Sequence, residues 1–234
     1  NQLQNTLNVE PLLTGIIIAF IAGLVIIGGV KRISAFATTL VPLMALLYII
    51  SALIIVLMNF NQVPAAFGII IDSAFNGTAA TGGFAGATVL MAIRFGIARG
   101  VFSNEAGLGS APIAHAAAKT NSPVKQGTIA MLGTFFDTII ICSLTALVIV
   151  ISGAWQSGDN GAVLTSNAFV FGLSSIGESI ITISLILFAF TTIIGWSYYG
   201  ERCSAYIFGT KAIMPYRILW LLSIVLGAYA LDLG

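Results

Sequence analysis

Apolar and polar positions along the chain fall into long blocks, not into an alternating pattern. The first apolar block runs from Pro11 to Val30 and contains GIIIAFIAGLVIIGGV. A second runs from about Ser34 to Met58, through LVPLMALLYIISALIIVLM. A third, Ala65 to Ile97, is apolar but interrupted by glycines. A fourth covers about Gly127 to Ile151, a fifth Ile180 to Tyr198, and a sixth starts near Ile218. A helix crosses the ~30 Å hydrocarbon layer with about 20 residues, because each adds about 1.5 Å. In lipid only helices and closed barrels satisfy their own backbone. Barrel strands alternate apolar and polar positions over about 10 residues, and these blocks are apolar all round. The pattern predicts an all-α, polytopic transmembrane helical bundle of about six spans, the last truncated. Since Asn1 is no initiator methionine and Gly234 falls inside an apolar run, we read residues 1–234 as a fragment of a single transmembrane transport domain.

Composition agrees with the blocks. Hydrophobic residues make up 58% of the chain and charged residues 7%, against about 25% charged in an ordinary soluble chain. So few charges cannot cover a fold in water, which makes the lipid bilayer its main partner. No basic tract interleaved with aromatics points to nucleic acid. Cys142 and Cys203 lie far apart, without metal or disulfide spacing, and read as packing residues.

Charge sets the orientation. The basic residues are Lys31, Arg32, Arg94, Arg99, Lys119, Lys125, Arg202, Lys211 and Arg217. Threaded through the spans, they all fall at or near one face. The other face holds residues 1–10, 59–64 and 152–177, which contain no Lys or Arg. By the positive-inside rule the basic loops are cytoplasmic. Thr165–Ile176 (TSNAFVFGLSSI) is moderately amphipathic, and reads either as a short outer helix or lid or as an ordered surface loop.

Three places in the spans carry candidate chemistry. The third span breaks into Asn76-Gly-Thr-Ala-Ala-Thr-Gly-Gly-Phe-Ala-Gly86. Each glycine in a helix interior costs about 1 kcal/mol, and glycines let a ligand approach the backbone. Tight helix packing is the alternative use of small residues. The length of the interruption favours a discontinuous helix of the kind that builds solute sites at the midplane. Asp137 stands alone inside the fourth span, in LGTFFDTIIICSLTAL. A carboxylate at that depth faces a water-filled path or an ion, or else is held structurally by Thr134, Thr138 or a neighbouring helix. Asp72, nearer the outer end of its span, is more easily hydrated. In AFTTIIGWSYYGE, Thr191 and Thr192 offer oxygens suited to a hard cation, or are simply bonded back to their own carbonyls. Trp196 follows Thr192 by one turn, on the same helix face. Tyr198 and Tyr199 read as interfacial anchors. Glu105 and His115 lie in the polar segment RGVFSNEAGLGSAPIAHAAAKTNSP. Neither has a partner at catalytic or metal-binding spacing.

The stretch GVFSNEAGLGSAPIAHAAAKTNSPVKQGTIAMLGTFFDT, with GGFAGATVLMAIRFGIARG and FAFTTIIGWSYYGERC, resembles the signature of the alanine or glycine:cation symporter family. That resemblance implies a sodium-coupled, sometimes proton-coupled, importer of small neutral amino acids in a bacterial or archaeal cytoplasmic membrane. It also implies the five-plus-five inverted-repeat, leucine-transporter-like fold of the amino acid–polyamine–cation superfamily. By analogy the chain holds core helices four to eight and the start of the ninth, with the glycine-broken span as core helix six. The family's second sodium site, between core helices one and eight, carries over onto Thr191 and Thr192. Gly82, Gly83, Phe84 and Trp196 would border the substrate pocket. Asp137 and the two threonines are the expected cation-linked groups, with Na⁺, or H⁺, as the coupling ion. Core helix one would precede Asn1, so the remaining N-terminal helices are expected partners and the fragment alone should not transport. The expected activity is thus symport and not enzymatic catalysis. A channel would show a continuous polar pore stripe, which these spans lack. A membrane-embedded enzyme would need partners for Glu105 or His115, and a non-transporting amino-acid sensor could use the same fold.

Overall fold

A computed structural model describes residues 10–75, 85–159 and 161–232. Among these residues every regular element is a helix. In chain order they are α1 Pro11–Ile26, α2 Gly29–Met58, α3 Val63–Phe75, α4 Ala85–Asn104, the short α5 Ala111–His115, α6 Pro123–Ser152, α7 Gly161–Phe208 and α8 Ile213–Asp232. Short 3-10 turns sit between α2 and α3, after α6, and before α8. By length and composition Gly29–Met58, Pro123–Ser152, Gly161–Phe208 and the run Thr210–Ala230 can each cross a bilayer; α1 is a shorter apolar helix.

Local chemistry explains where these helices begin and end. Pro11 opens α1, where its missing N–H costs nothing. Pro123 does the same for α6, and the Ser122 hydroxyl accepts the Lys125 N–H as a cap at 3.3 Å. The turn between α1 and α2 comes earlier than hydropathy suggests, because Gly29 takes the left-handed region at φ 68°. An apolar run continues across that turn, so the block pattern alone cannot see it.

Two further departures concern backbone geometry. Within α6, residues Phe135–Cys142 form a π-helix between two α-helical segments. Within α7, Ser174 sits at φ 51° and ψ −139°, a kink that divides the helix into 161–173 and 175–208. The segment Thr165–Ile176 is therefore helical up to that kink and not a surface loop. The third span is seen as α3 and α4. Its glycine-rich break, including Gly82, Gly83 and Phe84, lies outside the described residues.

The chain divides into two compact units, residues 1–48 with 179–234, and residues 49–178. In the first, α1 packs on α8. The buried face of α1 carries Gly15, Ala19, Ala22 and Gly23, a stripe of small residues that lets two helices approach closely. A Cβ on Gly15 would run into the Ala228 side chain, and one on Gly23 would stand 3.2 Å from Leu221 Cδ1. The opposite face, with Leu13, Ile16, Ile17, Phe20 and Leu24, is exposed, as suits a lipid-facing surface. In the second unit Ile55, Val148, Ala168 and Phe169 are fully buried, and α3 packs along the Ser143–Ser152 end of α6.

Candidate functional site

Asp137 lies in the π-helical turn of α6. A π turn shifts the backbone pairing from i+4 to i+5, and such turns recur at functional sites. Opposite it stands the C-terminal end of α4. Ser103 Oγ donates to Asp137 Oδ1 at 2.8 Å, and Thr138 Oγ1 donates to Oδ2 at 3.4 Å. Asn104 Nδ2 in turn donates to Thr138 Oγ1 at 3.0 Å, while its Oδ1 accepts the Ala106 N–H at 2.8 Å. The neighbouring-helix partner anticipated for Asp137 is thus Ser103, and Thr138 is its local one. A carboxylate offers about four lone-pair positions, of which these two hydroxyls take two among the described residues. Among the described residues no Lys, Arg or His forms a salt bridge with it.

The segment after α4 is pinned by its own polar contacts. Glu105 adopts φ 57° and its Oε2 accepts from Ser110 Oγ at 2.9 Å. His115 Nδ1 and Gln126 Nε2 are hydrogen-bonded at 2.7 Å. These contacts give both residues positioning roles in the loop. Groups of three or more metal-binding side chains are absent among the described residues.

Thr191 and Thr192 belong to the other unit, in the straight part of α7. Thr191 Oγ1 donates to Leu187 O and Phe188 O at 2.9 and 3.0 Å, and Thr192 Oγ1 to Phe188 O at 2.9 Å. Back-bonding commits each hydroxyl proton to the helix and leaves the oxygen lone pairs pointing away from it. Trp196 packs edge-to-face on Tyr199, with ring centroids 5.7 Å apart. Of the expected substrate residues only Trp196 is described.

One cluster escapes sequence reasoning altogether. Glu201, near the end of α7, is 2% exposed and meets two guanidinium groups: Arg217 Nε at 2.7 Å and Arg202 Nη2 at 2.7 Å. Arg217 Nη1 also donates to Ile27 O at 3.0 Å, and Arg32 Nη1 donates to Leu24 O at 2.7 Å. Two arginines thereby satisfy carbonyls at the C-terminus of α1, where cations suit the helix dipole. Arg202 also lies over the Tyr198 ring, 5.1 Å from its centroid.

Comparison with known proteins follows the same lines. The model of the sodium:alanine symporter family matches residues 1–232. A protein of Haemophilus influenzae named as a transporter is 52% identical over 229 residues, which are 97% of this chain and 50% of that protein. The sodium/alanine symporter AgcS of Methanococcus maripaludis is 48% identical over 226 residues, 95% of this chain and 49% of that protein. A Bacillus subtilis protein named "Probable sodium/glutamine symporter GlnT" is 38% identical over 229 residues, 97% of this chain and 47% of that protein. The chain spans about half the length of these relatives. They are transporters and not enzymes, and their likeness agrees with the apolar helices in making this a multi-pass membrane protein.

Proposed function

The chain belongs to the sodium:alanine symporter family, and from that premise we propose that it supplies about half of a cation-coupled symporter for small neutral amino acids. The family match along nearly the whole chain carries this reading. The carboxylate of Asp137, which forms no salt bridge among the described residues and sits beside hydroxyl donors, supports it. Alanine or glycine is the substrate class, Na⁺ the co-substrate, and the bacterial or archaeal cytoplasmic membrane the location. The proposed fold is the five-plus-five inverted repeat with a discontinuous third span, and Gly82, Gly83, Phe84 and Trp196 are the proposed substrate-binding residues. The remaining N-terminal helices complete that pocket.

Coupling rests on differential binding: the cation favours the conformation that holds the amino acid, so each raises the affinity for the other by the same factor. Oxygen ligands suit Na⁺, a hard cation. Thr191 and Thr192 would present lone pairs, and Asp137 would offset positive charge at depth.

In proteoliposomes holding the full-length protein, an inward Na⁺ gradient is expected to drive alanine accumulation. Uptake indifferent to both Na⁺ and H⁺ gradients would rule out symport. Thr192→Ala should raise the half-saturating Na⁺ concentration by about tenfold, equal to about 1.4 kcal/mol. An unchanged value removes that residue from the site. Proton coupling is the second reading, favoured by Asp137 having no cationic partner among the described residues. Accumulation driven by a pH gradient in sodium-free buffer would establish it in place of the first.

A further inference from the structure

The end of α4 and the segment that follows it touch α6 at two heights. At one, Ser103 and Asn104 bond to Asp137 and Thr138; at the other, His115 bonds to Gln126. Gln126 and Thr138 are separated by about 18 Å along the helix, at about 1.5 Å per residue. Their depth follows from the other end of α6. Ser152 is its last residue, closed by Gly153 at φ 70° and followed by the polar stretch Gln156–Asn160. Measured from Ser152, Asp137 lies about 22 Å along α6 and Gln126 about 39 Å, against a hydrocarbon thickness of ~30 Å. With Ser152 set at the outer edge of a ~30 Å layer, Asp137 and the start of the loop fall inside it, and His115, bonded to Gln126, falls beyond it.

The backbone that makes this climb is irregular, with Glu105, Gly107 and Gly109 at φ 57°, 86° and 81°. Ala106, Gly107, Leu108 and Gly109 are exposed. Non-helical backbone at membrane depth is tolerated only where protein covers it or water reaches it. Water is favoured by the charges. The carboxylates of Glu105 and Asp137 both have hydroxyl donors, Ser110 and Ser103, and neither has a salt bridge among the described residues. Two carboxyl groups at this depth call for hydration, a proton or a cation.

We propose that residues 105–115 line a water-filled, cation-attracting vestibule that leads from the cytoplasmic side to Asp137. This inference rests on the symport reading for its purpose, but its test does not. In the full-length protein, with native cysteines replaced, single cysteines are placed at Leu108, at Lys119 and at Phe20. A charged, membrane-impermeant methanethiosulfonate reagent is applied to inside-out and right-side-out vesicles. Thiolate chemistry needs water, so Leu108→Cys should react from the cytoplasmic side at a rate within about tenfold of Lys119→Cys, while Phe20→Cys stays unmodified. Leu108→Cys unreactive from the cytoplasmic side, with Lys119→Cys reactive, would overturn the proposal. Ala106→Cys carries the same test should Leu108→Cys fail to accumulate. Labelling as expected in a protein that shows no coupled uptake would leave the vestibule standing and sink the symport reading alone.

Discussion

Replacing Glu201 by leucine is expected to destabilise the folded protein by about 3–5 kcal/mol, the usual cost of removing one partner from a buried ion pair. Arg217, whose side chain is 13% exposed, would keep its charge and lose its carboxylate. Its second contact, the Ile27 carbonyl, carries only a partial charge and cannot neutralise it. Arg202, 44% exposed, loses far less because water reaches it. The double variant Glu201→Leu/Arg217→Leu should recover part of the loss, since no charge is left stranded. Glu201→Gln, which keeps one acceptor oxygen and turns the other into an NH2 donor facing a guanidinium, should fall between wild type and Glu201→Leu. Thermal unfolding of the purified full-length protein in detergent reads all three. A Glu201→Leu midpoint equal to wild type would show that this cluster holds nothing together.

Gly15→Leu is expected to be the next most damaging change. Its side chain would enter the contact between α1 and α8, where even a Cβ meets Ala228. Overpacking of a tight contact costs about 1–3 kcal/mol or more, and in lipid no hydrophobic gain offsets it. Gly15→Ala should show a smaller loss of the same kind. Gly227→Leu on α8 is the control, because nothing lies within 4 Å of a Cβ there. Trypsin susceptibility of membrane-embedded protein would register separation of the two helices. Equal resistance of Gly15→Leu and wild type would mean that the stripe is not a packing surface.

The helices were legible because lipid imposes length and apolarity on every span, and both are properties of composition. Pro11 and Pro123 marked two starts directly. Geometry that leaves composition unchanged was not legible. The π turn at Phe135–Cys142 shifts hydrogen bonds by one residue within an apolar run, and the Ser174 kink uses a residue with no strong preference for positive φ. Asp137 announced itself as a lone carboxylate, and Thr138 was a foreseeable neighbour. Ser103, which holds Asp137, is 34 positions earlier and carries no local sign of that partnership. Glu201 was hidden by the same difficulty: Arg217 lies 16 positions away, beyond a turn. The threonine pair was readable in both its senses, and the back-bonding found for Thr191 and Thr192 is compatible with each.

The Arg217 contact to Ile27 has a consequence for biogenesis, since its two ends are 190 positions apart. At about 5–20 residues per second, ribosomal synthesis delivers the arginine on the order of ten to forty seconds after the carbonyl it serves. Until then the end of α1 must borrow its donor from water or from Arg32. That corner of the protein is therefore completed only after α8 has been inserted, and a chain stalled before Arg217 would present the quality-control machinery with an unlatched C-terminal end of α1.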